Sequence, residues 1–176
     1  QTIVPVFPNV PAQMSLTHYG QVDMAALAQV WPTADMSNPR ELVGLGLLEQ
    51  VLSILLTENV REKAGASYSP SAFSYNDLNP TGYGYLGLFS VTTTAMLPEV
   101  AKHYAAAVKQ VKTPSGITED LLNRARQPVL EWMQMAPQSN NFWLDLASTA
   151  QSQPERFATF NQRLALVQQI TPAELS

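Results

Sequence analysis

Between Tyr83 and Thr94 the chain alternates cleanly. Tyr83, Tyr85, Gly87, Phe89 and Val91 fall on one side, and Gly84, Leu86, Leu88, Ser90 and Thr92 on the other. A period of two over this length predicts a β-strand. Elsewhere the period changes. Leu42, Leu45, Leu48, Val51, Leu52 and Leu55 recur at three and four, which predicts a helix with one buried stripe. Val43, Leu47, Ile54 and Leu56 widen that stripe, so the helix should be buried on most sides. Its start is written in Asn38-Pro39-Arg40-Glu41: Asn38 can cap, Pro39 suits the first helical position, and Glu41 can complete a capping box. Its end is expected near Lys63, with Gly65 free to turn left-handed beyond it.

The remaining pattern fills in around these two elements. Gln1 to Gly20, with prolines at 5, 8 and 11, reads as a linker entering a strand. Ala25 to Trp31 has helical propensity, but Pro32 pushes the residue before it towards extended structure, so a strand is expected. Ala66 to Tyr75 should be extended, with Pro70 marking an edge, and Asn76 to Gly82 should be a loop. Pro98 opens a second helix with the stripe Val100, Tyr104, Ala107, Val108 and Val111, broken at Pro114-Ser115-Gly116. Thr118 caps a third, whose first turn carries Glu119 and Asp120; Pro128 should kink or end it. Further helices are expected around 142–151 and 154–169. The set predicts an α+β domain of two layers, a mostly antiparallel sheet with helices packed on one face.

Thr171-Pro172-Ala173-Glu174 is one more helix start, yet only Leu175 and Ser176 follow it. The chain also begins at Gln1 rather than Met. Both ends are therefore expected to be cuts, with residues 1–176 forming a single domain of a larger multidomain protein and its targeting out of view. A length of 176 residues suits one domain with a real core. The location is therefore unknown from these residues, with the periplasm of a Gram-negative bacterium as the working guess.

Composition narrows the functional classes. Charged residues make up 14% of the chain, against roughly 25% for an ordinary domain, so part of the surface is expected to be covered by another domain or chain. Ten basic residues against fourteen acidic ones leave a charge of 10 − 14 = −4, with no basic stripe for nucleic acid. Without cysteine there are no disulfides, thiolate metal sites or cysteine nucleophiles. No unbroken apolar run reaches the ~18 residues of a membrane span.

Most candidate chemistry falls away on spacing. His18 and His103 stand 85 positions apart and belong to no metal-binding His/Glu motif, so neither is expected to hold zinc. Ser67, in Gly65-Ala66-Ser67-Tyr68-Ser69, lacks the second glycine of a nucleophile elbow. Gly44-Leu45-Gly46 and Gly82-Tyr83-Gly84 lack the residues that cradle phosphate; the first pair is expected to permit close helix packing.

One segment remains, Asn59 to Ser69. By itself it reads as a helix end carrying cations, a turn and a strand. Its Arg61-Glu62-Lys63-x-Gly65-x-x-Tyr68, following a long apolar helix, resembles the signature of the second homologous half in the pitrilysin/insulinase family of zinc metallopeptidases. The resemblance covers most of the chain. It takes in the entering strand, the Tyr83-Gly84-Tyr85 strand, the Thr118 helix start, Asn141-Phe142-Trp143-Leu144 and Ile170-Thr171-Pro172. Three features depart from it: Ala64 where a bulkier residue is frequent, Pro128 in a helix usually continuous, and the absence of a final strand.

The resemblance implies the following. The chain lacks the family's His-x-x-Glu-His motif, so it corresponds to the half that closes over a zinc-binding one. Arg61 and Tyr68 would be its catalytic contribution, aimed at zinc held by the partner half, in the same chain or another. The substrate would be a peptide, the reaction its hydrolysis, and the isolated domain would hold no cofactor and be inert. The two side chains should lie close together on one outward face. The alternative is a non-catalytic structural subunit of the same fold, as in processing peptidases and respiratory-complex cores, which would have no need of both residues aimed at one point.

Overall fold

The computed structural model describes residues 7, 13–17, 19–20, 23–35, 37–67, 69–76, 82–151 and 155–176. Three strands, β1 (Ala25–Thr33), β2 (Ser71–Asn76) and β3 (Gly84–Thr92), form an antiparallel sheet in the order β1-β3-β2. β3, the strand with the cleanest alternation, takes the centre. It pairs with β1 from Ala25↔Thr92 to Thr33↔Gly84 and with β2 from Ser71↔Phe89 to Asn76↔Gly84. The helices are α1 (Pro39–Leu56), α2 (Leu97–Val111), α3 (Glu119–Met135), α4 (Asn140–Thr149) and α5 (Glu155–Gln169). Each strand and helix named from the sequence is present, and the fold is α+β. The linker assigned to residues 1–20 and the loop at 76–82 lie largely outside the described residues.

The sheet's inner face and the helices share one core. Leu88 of β3 is fully buried, as are Val51 and Leu56 of α1 and Val100 and Tyr104 of α2. Burying each such aliphatic side chain is worth about 1.5–3 kcal/mol. The Tyr104 hydroxyl donates to Ser90 Oγ at 2.7 Å, so the one large polar group here is satisfied, and burial pushes its pKa up to about 12. Asp35, buried between the ends of β1 and β3, accepts from the Ser37 N–H at 2.9 Å and the Gly82 N–H at 2.6 Å. Hydrogen bonding to Ser37 and Gly82 holds its carboxyl below the usual value.

Two expectations about the helices need correction and a third is narrowed. The buried stripe of α1 is Val43, Leu47, Val51, Leu52, Leu55 and Leu56, whereas Leu42, Leu45 and Leu48 are only half-buried. Leucine occupies so many positions that spacing alone could not choose the face. α1 packs on β2, α3 and α5, and that contact chooses it. Gly44 and Gly46 permit no especially close approach: a Cβ on Gly46 would meet nothing within 4 Å, and one on Gly44 would stand 3.6 Å from Leu175. Pro128 does not end α3, which continues to Met135. The carbonyl deprived of a partner belongs to Arg124, and both residues are exposed, so water can replace the missing N–H.

By length and mean hydropathy the continuous helix Pro39–Glu62 would pass for a membrane span, because an average tolerates Glu49 and Gln50 within the apolar run. Here it packs as the central core helix. Thr118 caps α3 by accepting from the Leu121 N–H. The Arg126 guanidinium donates to Val167 O at 2.8 Å and to Ile170 O, satisfying carbonyls at the end of α5. The Thr171–Glu174 capping box forms around the short 3-10 turn Pro172–Glu174.

The outer face of the sheet carries Ala28 and Val30 of β1, Tyr85 and Phe89 of β3, and Phe73 and Tyr75 of β2. Val30, Tyr75 and Phe89 are exposed, and Tyr75 stacks on Tyr85 with ring centroids 5.4 Å apart. No charged residue occupies these positions. The low charge seen in the composition is reflected on this face. Patches of this kind are where another surface docks.

Candidate functional site

Arg61 sits on a segment that periodicity did not reveal. After Leu56 the helix widens, and Thr57–Lys63 is wound as a π-helix. Such winding is rare, and π-turns within helices cluster at functional sites. The change begins where the Thr57 hydroxyl donates to Ser53 O at 2.9 Å, crowding a carbonyl that also receives the Thr57 N–H. Val60 is fully buried and pins the segment from inside. Glu58 is held from outside by Arg124 of α3, at 2.5 Å. Arg61 itself is exposed.

Gly65 then takes φ 59°, the left-handed position expected of it. Its N–H donates to Arg61 O at 3.2 Å, and the Ala66 N–H reaches Val60 O at 2.9 Å. In an α-helical terminus the residue after the glycine would bond to the carbonyl of 61. Reaching 60 instead extends the wider winding through the turn. Ala66 and Ser67 are buried and tied to the central strand: Ser67 Oγ donates to Val91 O at 2.6 Å, and Thr92 Oγ1 donates to Ala66 O. The Ser67 hydroxyl is therefore engaged as a structural tie and not presented as a nucleophile.

Tyr68 lies outside the described residues, so the expected meeting of Arg61 and Tyr68 is not addressed by the structure. Its neighbours are placed: Ser67 is buried and Ser69 is exposed. Sequence reasoning missed the π winding and the Glu58–Arg124 link. The buried Asp35 had a readable signal, since Asp-x-Ser before a helix cap suits a side chain that accepts from the backbone two residues on.

Among the described residues the donor chemistry does not suit zinc. Among the described residues no three His, Cys, Asp or Glu side chains cluster. His103 Nε2 stands 3.1 Å from Glu99 Oε1, at ion-pair distance though without hydrogen-bond alignment, and Lys102 holds the same carboxylate at 3.2 Å. A catalytic zinc needs three protein ligands, and a lysine already in the group disfavours a second cation. His18 lies outside the described residues.

Comparison with known proteins adds the following. A family model described as the peptidase M16 inactive domain matches residues 3–129. Among solved structures, the periplasmic protease PqqL from Escherichia coli is similar over 89% of this chain, at 19% identity and a TM-score of 0.69. The chain spans only 17% of PqqL's length. The inactive peptidase domain of a candidate zinc protease from Bordetella parapertussis is similar over 91% of this chain and 83% of that one, at 18% identity and a TM-score of 0.66. A peptidase M16 inactive domain from Pseudomonas fluorescens is similar over 87% of this chain and 36% of that one, at 17% identity and a TM-score of 0.65. At these identities the structural likeness speaks for the fold alone. No curated protein matches the sequence.

Proposed function

Because the chain belongs to the M16 peptidase family, as an inactive domain, we propose that it is the non-zinc-binding half of a zinc metalloendopeptidase. It would close over a homologous zinc-binding half, in the same chain or a partner, around a peptide substrate. The observation that carries this reading is Arg61, an exposed cation on a π-wound helix end within the matched region. The alternative, a structural subunit, would have no need of Arg61 and Tyr68 aimed at one point.

In this reading the zinc of the other half supplies Lewis-acid chemistry and an activated water. This chain supplies two side chains. Tyr68 donates its hydroxyl to the oxyanion that develops on the scissile carbonyl, and Arg61 holds the substrate backbone beside it. The uncharged outer sheet face, with Phe89 and Tyr75, is available to apolar surface of the other half or of substrate. A periplasmic setting belongs to the same proposal and rests on the likeness to PqqL.

The test is reconstitution. The domain alone should cleave no peptide and retain no stoichiometric zinc. Combined with its zinc-binding half it should support hydrolysis that the half alone performs poorly. Equal turnover with and without the domain would leave the structural alternative standing.

A further inference from the structure

Within the π-wound segment, Glu58 is held from outside. α3 is a rigid base, since Leu122 and Ala125 are fully buried in the core. Arg124, between them in sequence, faces outward and is half-exposed. From there it binds Glu58, three residues before Arg61, at 2.5 Å. The charges of Asp120 and Glu62 also favour its guanidinium.

Three of the four residues from 57 to 60 are thus anchored in different directions: Thr57 back to Ser53, Glu58 outward to α3, and Val60 into the core. Arg61 is the next residue. An exposed ion pair of this kind contributes little to stability, about 0–1 kcal/mol. Its geometry matters more, because a side chain acting on a transition state loses effect when displaced by about 1 Å.

We infer that Arg124 and Glu58 are positioning residues that set the direction of Arg61 through the π-wound segment. The inference rests on the reading of Arg61 as a substrate-facing residue and adds what holds it there. It predicts an effect on turnover out of proportion to any effect on folding.

The experiment uses the domain combined with its zinc-binding half, comparing Arg124→Gln, Arg61→Ala and the double variant. Arg124→Gln should lower kcat/KM about fivefold, the full reach of such a pair, with the melting temperature unchanged. Added to Arg61→Ala it should cost nothing further, because a residue acting through another has no effect once that other is gone. Losses that multiply in the double variant would overturn the inference. So would wild-type kinetics in Arg124→Gln beside an impaired Arg61→Ala, and the reading of Arg61 would then still stand. Full activity in Arg61→Ala would instead overturn that reading, and the inference with it. Should Arg124→Gln melt early, Glu58→Gln breaks the same link from the other side and decides by the same comparison.

Discussion

The two ends of α1 solve the same problem differently. At the start, Asn38 Oδ1 accepts from the Arg40 and Glu41 N–H groups, and Arg40 binds Glu174 beyond α5 at 2.5 Å. The unpaired donors of a helix start are met locally and the end is closed. At the far end the last turns widen, the chain leaves through a left-handed glycine, and an exposed arginine remains. The first arrangement serves the fold. In the second, wider winding replaces regular hydrogen bonding beside an exposed side chain. Under the proposed role of Arg61 the difference separates stability from function within one element, and substitutions at the two ends should act on different observables.

The largest effect on folding is expected at the functional end. Gly65→Ala forces a Cβ into the left-handed region and should cost about 1–2 kcal/mol. It should also reduce peptidase activity of the reassembled enzyme, because the turn carries the chain from Arg61 towards Tyr68; denaturant melts and kinetics on one preparation check both. Asn38→Ala should cost about 1 kcal/mol and leave kcat and KM unchanged. A kinetic effect of Asn38→Ala would break the comparison.

A smaller effect concerns pH. Hydrogen bonds from the Thr171 backbone and from Arg40 hold the Glu174 carboxyl down at about 2, from an ordinary 4.5. A folded pKa below the unfolded one stabilises fully above 4.5, and that stabilisation fades as pH falls through about 2. Melting curves of wild type and Glu174→Gln should differ modestly at neutral pH and converge across that window. A gap that persists unchanged at the acid end would mean that ionisation of Glu174 does not tie the helix start to residue 174.

The same contrast explains what the sequence could disclose. Caps are local chemistry, so Asn38, Thr118 and Thr171 were readable from residue type and spacing, and each forms its expected cap. Alternation in β3 was equally local, and the strand forms where it predicted one. The buried face of α1 was not local, since leucine on nearly every side leaves the choice to β2, α3 and α5. Nor was the π winding. It is accompanied by a threonine hydroxyl bond, a buried valine and an arginine on α3, and hydrophobic periodicity carries no trace of such a combination. At the site, Arg61 and the turn at Gly65 were legible as a motif, whereas the Glu58–Arg124 link beside it required the folded chain.

The central claim is that Arg61 and Tyr68 serve a zinc site held by another half. Its most direct test is the steady-state kinetics of Tyr68→Phe in the reassembled enzyme, beside its melting temperature. The loss of a hydroxyl that acts on the transition state should lower kcat by about 10²–10³ with KM and melting temperature little changed. Intact turnover in a domain that unfolds more readily would show Tyr68 to be a structural residue and contradict the account.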